Sequence, residues 1–246
     1  MGAFGRRTHE GCRATPSHRA IAELFMSESS TQATHLGILQ AMTFTTGIVD
    51  AASFLALGHV FTANMTGNVV FLGFGLAGAP GLSVPGSLVA LVCFGAGAVA
   101  GGRISVARSA RAFAAEAILL LTAAWLALGL VAPYGVVTAT TYGVIAATGT
   151  AMGIRNAIVR RLAVPDLTTT VLTLTITGLA ADSTLAGGYN PRWQRRCAAV
   201  VAMLGGAATG AVLLRLSVAL TLAVAGAITA VCALVAYTVH PKEAQQ

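Results

Sequence analysis

Eight apolar stretches follow one another along this chain, at about 36–58, 60–79, 86–102, 112–132, 135–158, 167–185, 197–214 and 216–239. A helix needs about 20 apolar residues to cross a bilayer, and most of these runs reach that length. Proline punctuates the gaps, at Pro80, Pro85, Pro133, Pro165 and Pro191. Only 9% of the 246 residues are charged, against roughly 25% in a soluble domain. A core of this size cannot hide so much apolar surface from water, so the solvent must be lipid. The expected class is all-α integral membrane.

The net charge of +7 could suit a nucleic-acid binder, but the basic residues sit in short gaps between apolar runs with no interleaved aromatics. The excess of Lys and Arg on cytoplasmic loops explains them better, and no nucleic-acid partner is expected. Cys12, Cys93, Cys197 and Cys232 form no CxxC pair and no disulfide-like spacing. Residues 1–35 are polar, carry Arg6, Arg7, Arg13 and Arg19, and contain no apolar core of a signal peptide. They read as a disordered cytoplasmic tail, with 36–239 as one membrane domain and 240–246 as a short cytoplasmic end.

The chain is written twice. Gly47-Ile48-Val49-Asp50-Ala51 is echoed by Gly153-Ile154-Arg155-Asn156-Ala157. Eleven residues after Asp50 comes Phe61-Thr62, and eleven after Asn156 comes Leu167-Thr168, each opening a polar stretch. The third run of each half carries a GxxxG, Gly97 to Gly101 and Gly206 to Gly210. The halves are about 36–132 and 135–239. If all eight runs crossed, seven of the 15 basic residues would lie outside, which is no bias. If 60–79 and 167–185 instead dip in and return, every Lys and Arg except Arg215 becomes cytoplasmic. That layout has about six transmembrane helices plus two re-entrant or broken segments. Each half then has three crossings, so the halves are inverted, a common plan among transporters.

GIVDAASFLALGHVFTANMTGNVVFLG, followed by GIRNAIVRRLAVPDLTTTVLTLTITGLAAD, resembles the YoaK-like family of bacterial multi-pass membrane proteins, classed as a domain of unknown function. The resemblance covers about residues 36–239. It implies an integral protein of the bacterial inner (plasma) membrane and supplies no substrate, reaction or catalytic residue.

The polar residues inside the apolar runs are the functional candidates, because lipid offers them no hydrogen-bond partner. Asp50 could be a proton carrier, a cation ligand or a counter-ion, or could form a structural bond, with Arg155 as a candidate ion-pair partner. Asn64, Thr66 and Asn68 flank Gly67 and could converge if the segment is unwound; the bland alternative is interhelical hydrogen bonding. In the second half Asn156, Thr170 and Thr173 are the matching set, although Thr can bond its own helix and be silent. Arg155 could also snorkel to the surface, and Glu116 reads as an interfacial partner of Arg108 and Arg111. Gly73–Gly78 matches GxGxxG without the strand that a dinucleotide site needs. Neither HExxH, GxSxG nor a His-rich metal cluster occurs, so no enzyme, metal site or cofactor is expected.

These residues lead to a small-solute or ion transporter or channel-like protein with a polar midplane site. The alternative is a non-transporting scaffold or partner-binding protein whose polar clusters lock helices together. Membrane lipid is an expected partner. The GxxxG faces of Gly97/Gly101 and Gly206/Gly210 mark either close helix packing or a subunit interface, which makes a second copy the other candidate partner.

Overall fold

The computed structural model describes residues 18–130, 138–162 and 172–239, with side chains from Ala33 onward apart from Ala107. The chain divides into two units, Met1–His35 and Leu36–Gln246. In the first unit the described residues, 18–35, are helical. The polar composition there led to the expectation of an irregular tail. Its Ala, Glu, Leu, Met and Gln are good helix formers, and they prevail locally.

Eight α-helices occur among the described residues: α1 His18–Ala56, α2 Met65–Leu76, α3 Val84–Arg103, α4 Ser109–Ala127, α5 Ala139–Leu162, α6 Leu172–Ala181, α7 Trp193–Leu213 and α8 Val218–Val239. No strand is found among the described residues. Five helical segments are long and apolar enough to cross a membrane: Ala33–Ala56 of α1, α3, α4, α7 and α8. The 24-residue α5 is as long but carries Arg155, Asn156 and four Thr. The helices α2 and α6 have 12 and 10 residues, about 18 and 15 Å at 1.5 Å per residue. Neither reaches across a hydrocarbon core of about 30 Å.

Glycine sets the closest helix crossings. A Cβ on Gly97 would overlap the Thr150 carbonyl, and one on Gly101 would lie 2.8 Å from the Ile154 carbonyl oxygen. From the other side, a Cβ on Gly153 would come 2.8 Å from the Ala98 nitrogen. So α3 and α5 run parallel with their backbones touching. The crossing of α1 and α7 repeats this. A Cβ on Gly206 would overlap the Phe44 carbonyl, one on Gly210 would lie 2.9 Å from the Ile48 carbonyl oxygen, and one on Gly47 would lie 2.6 Å from the Ala207 nitrogen. Small residues permit this approach, and in lipid the dispersion gained there is a main source of helix association. Both GxxxG faces are thereby filled within the chain, by α5 and by α1. The structure thus takes the helix-packing reading of these glycines, and the glycine positions themselves are occupied by the chain's own helices.

The helices α4 and α8 pack antiparallel, with Gly226 against Leu121. One continuous core joins Ile48 and Val49 of α1 to Leu120 of α4, Ile145 and Met152 of α5 and Leu222 of α8. Both halves of the sequence therefore contribute to a single body.

Replacing Gly97 or Gly206 by Leu forces a side chain against a backbone carbonyl, which no rotamer change relieves. Each variant should lose roughly 1–3 kcal/mol or more, read as a lowered Tm in detergent. Gly95→Ala, whose Cβ would meet no atom within 4 Å, should leave Tm unchanged or slightly raised.

Candidate functional site

The buried face of α1 carries a polar stripe, Thr46, Asp50 and Ser53, each 4% exposed or less. Spacings of four and three residues place them on one side of the helix. Thr43 and Thr45 are also buried, but their hydroxyls bond back to the Leu39 and Met42 carbonyls, at 2.9 Å each, and are silent.

At Thr46 the stripe meets Arg155, whose side chain is wholly buried. Its Nη1 donates to the Met42 carbonyl at 2.7 Å and to Thr46 Oγ1 at 2.8 Å. Its Nη2 donates to Thr229 Oγ1 at 3.2 Å and to the carboxylate of Glu116, which is also wholly buried. Thus α1, α4, α5 and α8 meet on one guanidinium. Two atoms of the pair, Arg155 Nε and Glu116 Oε2, have no partner among the described residues.

One helical turn along α1, about 6 Å away, Asp50 meets the α1–α2 connection. Its Oδ1 accepts from the Ala63 N–H at 3.0 Å and its Oδ2 from the Asn64 side-chain amide. The chain therefore doubles back after α1, through Gly58 and His59 at φ 92° and 59°, to the depth of Asp50. Asn68 closes the connection by accepting from the Phe61 N–H at 2.8 Å and donating to the Phe61 carbonyl. Gly67 is required beneath the Phe61 ring, where a Cβ would lie 2.6 Å from Cδ2. Phe61 packs in a cluster with Phe54 and Phe71, with ring centroids 5.0 and 5.8 Å away and those two rings 6.0 Å from each other. Thr62 Oγ1 is buried in this connection with no partner among the described residues.

The structure brings Asp50 and Asn64 together and puts Asn68 beside them, but it disperses the rest of the expected set. Thr66 lies on the exposed side of α2, and Thr173 is exposed on α6. Thr170 lies outside the described residues. The Asn156 amide donates to the Met152 carbonyl of its own helix at 2.8 Å. The expected ion pair of Asp50 with Arg155 is not formed. The turn at Ala63 and Asn64 saturates Asp50, while Arg155 faces Glu116. Arg155 does not snorkel, and Glu116 is not an interfacial partner of Arg108 and Arg111. Asp182, at the end of α6, pairs at 2.7 Å with Arg196 of α7. Sequence reasoning missed Glu116, Thr46 and Thr229 as one cluster. The available signal was that Glu116 is an acidic residue within an apolar run, which warrants a buried partner.

This geometry defines the class: a multi-pass, all-helical membrane protein with a charged pair sealed among its helices. Residues 38–235 match the family described as "Protein of unknown function (DUF1275)", and the chain belongs to that family. It is also 32% identical over 153 residues to the UPF0700 transmembrane protein YoaK of Bacillus subtilis (strain 168). That match covers 59% of this chain and 65% of the relative. No solved structure matches.

Removing one member of the buried pair strands the other. Glu116→Leu should cost about 3–5 kcal/mol, whereas Glu116→Leu with Arg155→Met should recover most of that. A double-mutant cycle of unfolding in detergent measures the coupling.

Proposed function

We propose that this protein is a non-enzymatic carrier or channel for a small solute or ion, organised around the Glu116–Arg155 pair. A pair sealed from water seldom adds stability over an apolar substitute. Ionisable groups at membrane depth usually mark the path of an ion, proton or solute. The observation that carries the reading is the pair's incomplete satisfaction: a buried carboxylate oxygen and a buried guanidinium N–H, both without a partner among the described residues. Asp50, one turn along α1, and Asn64 of the α1–α2 connection extend this polar strip toward the end where α1 meets α2.

In this reading six helices cross, α1, α3, α4, α5, α7 and α8, while α2 and α6 re-enter from opposite sides of an inverted repeat. The matched crossings support it. Gly47, Ile48 and Ala51 of one half meet α7, and Gly153, Ile154 and Ala157 of the other meet α3. Each half's first helix thus embraces the other half's third. The shortness of α2 and α6 supports it too, as does the arginine bias that puts both termini on the cytoplasmic side of a bacterial inner membrane.

A non-transporting scaffold is favoured by one observation. Asp50, Asn64 and Asn68 all direct their hydrogen bonds into the α1–α2 connection, as structural groups do.

Flux separates the two. Proteoliposomes containing the wild type should take up at least one member of a panel of small ions and neutral solutes faster than empty liposomes. Glu116→Gln, which keeps the shape and removes the charge-assisted bond, should slow that uptake about tenfold or more. No flux above empty liposomes, with a folded protein, makes the scaffold the better account. Flux indifferent to Glu116 moves the site elsewhere. For the topology, a cysteine at Ser105, in a chain otherwise free of Cys, should label only from the cytoplasmic side.

A further inference from the structure

The outer face of α4 and α8 carries an apolar groove of about 380 Å³. Its cause is side-chain size. Ala114 and Ala117 of α4 and Ala230 and Ala233 of α8 line it, between the bulkier Ile118 and Leu234, which are 65% and 63% exposed. Along α4 it runs from Ala110 to Leu121, eleven helical steps and about 16 Å. That is the depth of one leaflet, half of a hydrocarbon core of about 30 Å.

The groove lining is almost wholly apolar, and basic residues gather around one of its ends. Arg111, in the first turn of α4, and Tyr237, in the last turn of α8, both line it. Arg103 and Arg108 lie in the connection that leads into α4, and Arg161 of α5 donates to the Ile104 carbonyl at 2.9 Å, which brings the end of α5 to the same place. Segments 103–111 and 158–162 hold five Arg and no Asp or Glu. Tyr is at home at the level of lipid headgroups, and basic clusters at helix ends hold anionic ones.

We infer that this groove binds one anionic phospholipid of the surrounding leaflet, with an acyl chain along the alanines and the phosphate at Arg111. The alanine channel takes a flexible chain that a flat helix face would not retain, and the arginine end selects the charge. The site depends on the protein being in a membrane and not on whether it transports.

Native mass spectrometry of the detergent-purified protein tests this, with phosphatidylglycerol and phosphatidylcholine of matched chains as probes. The wild type should retain one phosphatidylglycerol in preference to phosphatidylcholine. Arg111→Gln should weaken that preference about fivefold, the effect of one charge at a membrane surface. Ala114→Phe, on an exposed position, should abolish retention by filling the channel. Ala230→Leu, which fills it from α8, keeps the test valid should Ala114→Phe not fold. Val201→Phe, on exposed α7 surface, should change nothing. Equal retention of both lipids would overturn the proposal, as would retention untouched by both channel-filling variants. A dimer that excludes lipid from the groove would overturn it as well, making a second copy the occupant.

Discussion

Lipid cannot hydrogen-bond, and this chain buries a guanidinium among helices apolar enough to cross it. That constraint organises the helices. Arg155 must be satisfied by protein, and it draws four acceptors from three neighbouring helices: the Met42 carbonyl and Thr46 of α1, Glu116 of α4 and Thr229 of α8. Of these only Glu116 would be stranded if the helices parted, because the Met42 carbonyl, Thr46 and Thr229 keep hydrogen bonds within their own helices. The pair thus acts as a geometric rivet whether or not it adds net stability, because separating its members exposes unpaired charge to hydrocarbon.

Glycine makes the rivet reachable. The crossings of α3 with α5 and of α1 with α7 bring backbones close enough that a methyl group would collide with a carbonyl. These crossings tie together helices that are far apart in the chain and bring α1 and α5 into one core. The same feature appears at the α1–α2 connection, where Gly67 lets the edge of the Phe61 ring come close and Asn68 substitutes for a missing backbone partner. Close approach and polar satisfaction are two parts of one solution to an apolar solvent.

Much of this was legible in the sequence. The all-helical membrane class follows from eight apolar runs, and the special status of 61–68 follows from its polar density. Both GxxxG pairs were recognised as packing faces. Their partner was not, since spacing reveals that a face is flat but not what lies on it. Asp50 reads as deep, with a structural bond and a pair with Arg155 among its open alternatives. Its choice of the Ala63 N–H and the Asn64 amide depends on a chain reversal through positive-φ residues that composition does not encode. Glu116 was assigned to the arginines nearest in sequence, at Arg108 and Arg111. Its partner lies 39 residues away on α5.

The sequence by itself determined the solvent, the helical class, the family and the residues that cannot be left unpaired in lipid. Those are local consequences of composition and spacing, settled within one helix at a time. Only the tertiary structure decided which polar group answers which. Satisfying a buried charge needs donors and acceptors from several helices at fixed distances, and those distances exist only after the glycine crossings have closed.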